Sequence, residues 1–141
     1  MIVCKHNGLR VAVLTRDEHC PPHVHVDGMS WNARFVFSFW NNGVSLWDVT
    51  PAKNQPNARQ LEELRKSLKE TETLKKMRII WWECHQTTCL ENKRWDMKLN
   101  KVSDLKNDKS DIYFIESAIF YSTTYTTKIK LKNHETLEIE L

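Results

Sequence analysis

Hydrophobic and polar positions change period twice along the chain, dividing it into a strand-rich start, a helical middle and a strand-rich end. In the first fifty or so residues, apolar side chains mostly recur at every second position, the period of a strand with one buried face. Residues 2–5 and 9–14 are β-rich and flank Asn7-Gly8, a dipeptide suited to the positive φ angles of a tight hairpin turn. Residues 23–26, His-Val-His-Val, read as a third strand. If Val24 and Val26 enter a core, alternation puts His23 and His25 together on the opposite face. Ala33, Phe35, Phe37 and Phe39 alternate with Arg34, Val36, Ser38 and Trp40, which predicts a fourth strand with an aromatic face. Asn42-Gly43 then turns it into a fifth over 44–49, with Leu46 beside Phe39. These segments make an antiparallel sheet of about five strands.

Residues 51–56 are too rich in breakers for regular structure. Asn57 then reads as a helix cap, with Gln60 three residues on as in a capping box. Leu61, Leu64 and Leu68 follow at helical spacing, and Leu74, Met77, Trp81 and Cys84 continue the stripe. One long helix or two short ones therefore run from about 58 to 84, covering a face of the sheet. Trp95, Met97 and Leu99 restore the strand period, 104–110 is a polar loop, and 112–121 is a largely apolar strand. A closing hairpin with the loop Asn133-His134-Glu135 sets Leu131 against Leu137 and Ile129 against Ile139. That register also places Lys130 opposite Glu138 and Lys128 opposite Glu140. The expected architecture is α+β: an N-terminal antiparallel β-sheet of about five strands packed by one or two helices, followed by a C-terminal β-hairpin region. The division falls between a sheet-plus-helix domain, 1–90, and a β subdomain, 91–141.

Composition changes this picture little. The chain has 141 residues, six of them Trp and five Phe, ample for a real core, and no homopolymer or Gly/Ser tract that would point to disorder. A net charge of +3 permits an acidic partner but does not by itself argue for nucleic acid, and it disfavours a mimic of DNA. The start lacks the basic and apolar regions of a signal peptide, and no apolar run approaches the roughly 18–20 residues of a membrane span. Cys4, Cys20, Cys84 and Cys89 accordingly read as reduced thiols of a cytoplasmic protein, and their spacing does not form paired Cys-x-x-Cys knuckles.

The richest chemistry is Asp17-Glu18-His19-Cys20-Pro21-Pro22-His23-Val24-His25-Val26. Together with the hairpin around His6-Asn7-Gly8, the Ala-led strand from Ala33, Asn57 leading a Leu/Arg helix, and Trp81-Trp82-Glu83 near its end, this segment resembles the domain-of-unknown-function 4160 family over residues 1–86. Residues 95–141 faintly resemble the domain-of-unknown-function 2442 family. Cys20 departs from the small polar residue usual before the prolines. The resemblance implies small prokaryotic proteins encoded beside toxin–antitoxin genes or on mobile elements. It implies no reaction.

Two site chemistries are open. His23 and His25 supply two metal ligands from one strand face, with His19, Cys20, Asp17, or the distant His6 or His85, as further candidates; zinc is the cofactor that such a set suits. General acid–base catalysis by His23 or His25, helped by Asp17 or Glu18, is the other, with Arg10, Arg16 and Arg34 available to hold a phosphate. Histidines that only hydrogen-bond across the sheet are the bland alternative. Trp81 and Trp82 point about 100° apart on a helix, so only one packs beneath it. Cys84-His85 is a poor nucleophile–base pair, since helical neighbours diverge. Arg59, Arg65, Lys66, Lys69, Lys75, Lys76 and Arg78 give the helices a basic bias that reads as a solvated face.

The leading expectation is a non-catalytic binding protein of bacterial or phage mobile-element origin, without a cofactor. It docks to a protein or nucleoprotein complex as an antitoxin-like partner or an inhibitor of a defence complex such as an RNA-guided CRISPR effector, with nucleic acid a second admissible partner and no membrane. Trp82, Arg34, Trp40, Arg65 and Lys69 are its candidate contact residues. The alternative is a small metal- or histidine-dependent nuclease centred on His23 and His25.

Overall fold

The computed structural model describes residues 1–105 and 110–141. The described chain is mixed α and β but mostly sheet, and it forms two compact units, Met1–Gln86 and Thr87–Leu141.

The first unit is an antiparallel meander in which each strand pairs with the next: β1 (Ile2–His6), β2 (Leu9–Ala12), β3 (His23–Asp27), β4 (Asn32–Val36) and β5 (Ser45–Thr50). Asn7 and Gly8, at φ 49° and 80°, close the first hairpin between the paired His6 and Leu9. The inward residues Val3, Val11, Val24, Val26, Ala33 and Phe35 are all fully buried. Phe37 and Phe39 are buried too, but they lie past the end of β4, which stops at Val36. The expected longer aromatic strand is thus half strand and half ordered loop. Ser38 Oγ accepts a hydrogen bond from the Asn41 backbone N–H, and Asn41 Oδ1 from that of Gly43, which pins the loop instead.

β4 and β5 are not in even register. Arg34 pairs with Asp48 and Phe35 with Leu46, so Trp47 is an extra residue in a β-bulge. Two helices follow, α1 (Ala58–Leu68) and α2 (Thr71–His85). The capping box at Asn57 and Gln60 is formed in both directions. Leu61, Leu64 and Leu68 on α1, and Leu74, Met77, Ile80 and Trp81 on α2, are the buried stripe.

In the β3–β4 connection the backbone of Gly28 lies under the Trp31 indole. A Cβ there would sit 2.2 Å from Trp31 Cε2, far inside van der Waals contact. Gly28→Ala is therefore expected to displace the indole and to cost about 1–3 kcal/mol by urea denaturation. A change under about 0.5 kcal/mol would show that the ring moves freely.

The second unit holds β6 (Arg94–Asp96), β7 (Lys101–Ser103), β8 (Ile112–Tyr121), β9 (Thr126–Leu131) and β10 (Thr136–Glu140), in the order β10-β9-β8-β6-β7. It is a second five-stranded antiparallel sheet, not a hairpin region. Its core includes Trp95, Ile112, Ile115, Ala118, Phe120, Ile129 and Leu131. The expected strand through Met97 and Leu99 ends at Asp96, whose Oδ1 accepts the backbone N–H groups of Lys98 and Leu99 and so turns the chain. The polar loop expected over 104–110 lies partly outside the described residues.

The closing hairpin is displaced from its expected register by two residues: Leu137 opposes Ile129, and Glu138 opposes Lys128. The loop is Lys132-Asn133-His134. His134 takes the left-handed conformation at φ 72°, and its N–H donates to Leu131 O at 2.9 Å. A shift of two keeps every side chain on its own face, so hydrophobic alternation does not distinguish the two registers.

Candidate metal centre

Glu18, His23 and His25 converge in the first unit. The chain leaves β2, turns through Asp17 at φ 58°, and passes Glu18 before Pro21-Pro22 leads into β3. Alternation along β3 buries Val24 and Val26 and sets His23 and His25 on the other face, with ring centroids 5.2 Å apart. Glu18 lies between the rings. Its Oε1 is 2.9 Å from His25 Nε2, and its Oε2 abuts His23 Nε2. One ligand atom from each of the three residues lies within 4.8 Å of the others. The site is largely sheltered: the side chains of His23, Glu18 and His25 are 1%, 9% and 16% exposed.

The hydrogen bonds behind the rings determine what they present. His23 Nδ1 lies 2.8 Å from Pro21 O. A carbonyl only accepts, so Nδ1 carries the proton, and in the neutral ring Nε2 is a bare lone pair. His25 Nδ1 donates in the same way to Asn32 Oδ1 at 3.2 Å. The amide of Asn32 is oriented for this by its own donation, Nδ2 to Asp27 Oδ1 at 2.6 Å. Both rings therefore turn Nε2 toward a carboxylate. Three acceptors facing one another repel unless something positive lies among them. Protons meet this need only if two of them enter this sheltered site, and His23 Nε2 is buried beside Glu18 without a well-formed hydrogen bond. A divalent ion satisfies all three at once. Each histidine held by Nδ1–H on a carbonyl or amide oxygen, with Nε2 aimed inward, is the outer-shell pattern of metal-binding imidazoles. The donor set fits a cation.

Aromatic and charged residues surround the cluster. Trp81 of α2 and Trp47 of the β5 bulge lie 5.4 Å and 5.1 Å from the His23 ring, centroid to centroid. Across the strands, His25 pairs with Arg34, and Arg34 with Asp48. Arg34 donates from Nε to Asp48 Oδ1 at 2.8 Å and from Nη2 to Oδ2, while its guanidinium carbon stands 4.0 Å over the Trp47 ring. This bond to Arg34 holds the Asp48 carboxyl below the usual carboxylate range. The bond to Asp48 pushes Arg34 up in turn. A carboxylate lowered in the fold stabilises it above the unfolded pKa, and that contribution is lost as pH falls through the folded value. Arg34→Gln is therefore expected to destabilise by no more than about 1 kcal/mol at pH 7, because the pair is half-exposed and screened. The deficit should vanish in thermal melts taken below the lowered Asp48 pKa. A deficit that grows on acidification would overturn the pairing.

The other candidates are placed elsewhere. Asp17 and His19 are exposed. Cys20 is disulfide-bonded, as is Cys89, which corrects the reading of all four cysteines as reduced and removes Cys20 as a thiolate ligand; Cys4 and Cys84 are free. His6 lies in the first hairpin, and His85 Nε2 lies 2.9 Å from Leu14 O. Trp82 and Trp40 are half-buried and Lys69 is exposed, while Arg65 is bonded to Glu62 and to Val44 O. Trp47 and Asp48 were missed as site residues, and Glu18 was named only as a helper in acid–base catalysis, not as a metal ligand. Glu18 was legible only as a carboxylate near the histidines, and a bulge leaves no trace in an alternating pattern.

No family model matches the chain, and no curated protein or solved structure is significantly similar to it.

Proposed function

We propose that the chain binds one divalent transition-metal ion through Glu18 Oε, His23 Nε2 and His25 Nε2 and acts as a metal-dependent hydrolase. The observation that supports this reading is the pair of Nδ1–H bonds, to Pro21 O and Asn32 Oδ1, which leave two Nε2 lone pairs facing one carboxylate. Two imidazoles and one carboxylate are a donor set of catalytic zinc and of non-haem iron, and three protein ligands leave a coordination position open. Held by Glu18, His23 and His25, such an ion would supply Lewis acidity and would lower the pKa of water at the open position toward neutrality. The chain's own residues do the rest. Trp81 and Trp47 shelter the His23 side, the more open His25 side leaves an approach, and Arg34 stands across the strand from it.

Protein stripped with chelator and titrated with Zn2+, Mn2+ or Fe2+ is expected to take up one ion per chain by mass spectrometry of metals and by calorimetry. His23→Ala and His25→Ala are each expected to lower affinity by at least about 100-fold with the fold retained by circular dichroism. Activated carboxyl and phosphodiester esters report the hydrolysis. Absence of stoichiometric metal, or unchanged affinity in both variants, would refute the reading and favour a non-catalytic docking protein.

A further inference from the structure

We propose that the hydrolase substrate is a single-stranded nucleic acid, held with its phosphodiester at Arg34 and a base on Trp47. The inference rests on the metal-dependent reading above and adds the substrate to it. His25, Arg34 and Asp48 are successive cross-strand partners on β3, β4 and β5, so a metal ligand, a cation and its counter-ion stand in one row across the sheet. Asp48 engages Nε and Nη2 of Arg34, leaving Nη1 outside the pair. The Arg34 side chain is 31% exposed and lies within the field of Glu18. The bulge sets Trp47 beside both His23 and Arg34 while leaving the residue 41% exposed. An exposed indole next to a guanidinium provides a plane for a base and a fork for a phosphate.

Charge selects among the anions. With a divalent ion, Glu18, Arg34 and Asp48 together leave one excess positive charge, which a singly charged phosphodiester neutralises; a phosphomonoester brings more negative charge than the site offsets. A duplex keeps its bases stacked inside and has none to lay on Trp47. In the reaction, a water oxygen bonds to phosphorus and one bridging P–O bond breaks. The water gives up a proton to solvent and the departing oxygen takes one, leaving a phosphomonoester and a free hydroxyl.

The test uses the full chain, stripped and reloaded with the metal that it binds, and fluorescein-labelled 12-mers of single-stranded RNA, single-stranded DNA and duplex DNA. Anisotropy is expected to show at least one single strand bound about 10-fold or more tighter than duplex, with gels showing that strand cut. RNA and DNA arms decide whether the 2′-hydroxyl matters. Trp47→Leu is expected to weaken binding by about 5- to 150-fold, while Trp47→Phe, which keeps a stacking plane, retains most of it. Arg34→Gln is expected to lower it at least 10-fold with metal stoichiometry unchanged. Equal binding of duplex and single strands, or Trp47→Leu and Arg34→Gln binding as wild type does, would overturn the inference. A metal-loaded protein that hydrolyses small activated esters but leaves every oligonucleotide intact also overturns it, while sparing the hydrolase reading. A protein that takes up no metal overturns both.

Discussion

Arg78→Met is expected to lower the stability of the first unit by about 3–5 kcal/mol, because it leaves several buried acceptors unsatisfied at about 1–3 kcal/mol each. Arg78 is 2% exposed, although its helix position suggested a solvated basic face. Its Nε donates to Ser38 O at 2.9 Å, and its Nη2 to Asn41 O and Asn42 Oδ1 at 2.8 and 2.9 Å. Burial pulls the guanidinium down to about 10, so it is still charged at pH 7 and carries a desolvation cost that its hydrogen bonds must offset. Methionine matches the length of the stem but leaves three acceptors without that donor, and hydrogen bonds to a charged group contribute about 1.5–3 kcal/mol each. Arg78→Lys is expected to recover only part, because an ammonium cannot reproduce the planar fork. The loop that Arg78 ties leads into β5, which carries Trp47 and Asp48. Urea unfolding should show a lowered midpoint with an unchanged slope. A loss below about 1 kcal/mol in Arg78→Met would show that the tether is not structural.

The fold was legible where local chemistry determines it. Asn7-Gly8 specified a hairpin, Asn57 and Gln60 specified a helix start, and alternation about Val24 and Val26 put His23 and His25 on one face. It was illegible where the hydrophobic period runs on through a break. Asp96 ends a strand whose pattern continues through Leu99, by capturing two backbone N–H groups. Lys69 and Glu70 break the helical stripe in two without any Pro or Gly to announce it. The last hairpin kept its faces and lost its register, since alternation fixes only the parity of pairing. The same logic governs the candidate site. Two ligands on one strand are a local fact, visible as His-x-His. The third depends on how a loop folds back, and in sequence Glu18 looks no different from Asp17. Arg78 is the reverse case: its six basic companions in the helical region made it look solvated, and only the Ser38–Asn42 carbonyls show why it is inside.

Saturation of the stripped protein with its metal is expected to raise the melting temperature by more than about 10 °C. An ion that binds the folded chain and not the unfolded one stabilises it by about 4 kcal/mol at a thousand times its dissociation constant. For a unit of this size each kcal/mol moves the midpoint by about 4–8 °C. The gain has a local cause. Without an ion, Glu18 and the two Nε2 atoms face one another as acceptors, a contact that costs stability; with one, the same atoms become ligands. Glu18→Gln separates the two effects. A neutral amide removes the buried carboxylate and supplies an N–H toward the Nε2 lone pairs, so the metal-free variant should melt at or above metal-free wild type. It should gain little from the ion, because an amide is a poor ligand for a transition metal. His25→Ala should also lose the metal-dependent gain, but without the rise in the metal-free state. Asn32→Ala frees His25 Nδ1 from its acceptor and should reduce the metal-dependent gain in part, by about 1.4–2.8 kcal/mol for the 10–100-fold loss usual when an outer-shell partner is removed. Melting curves for wild type and the three variants, each with chelator and with metal, decide it. If metal leaves the wild-type midpoint in place, or raises that of Glu18→Gln as much, the three residues are not a metal centre.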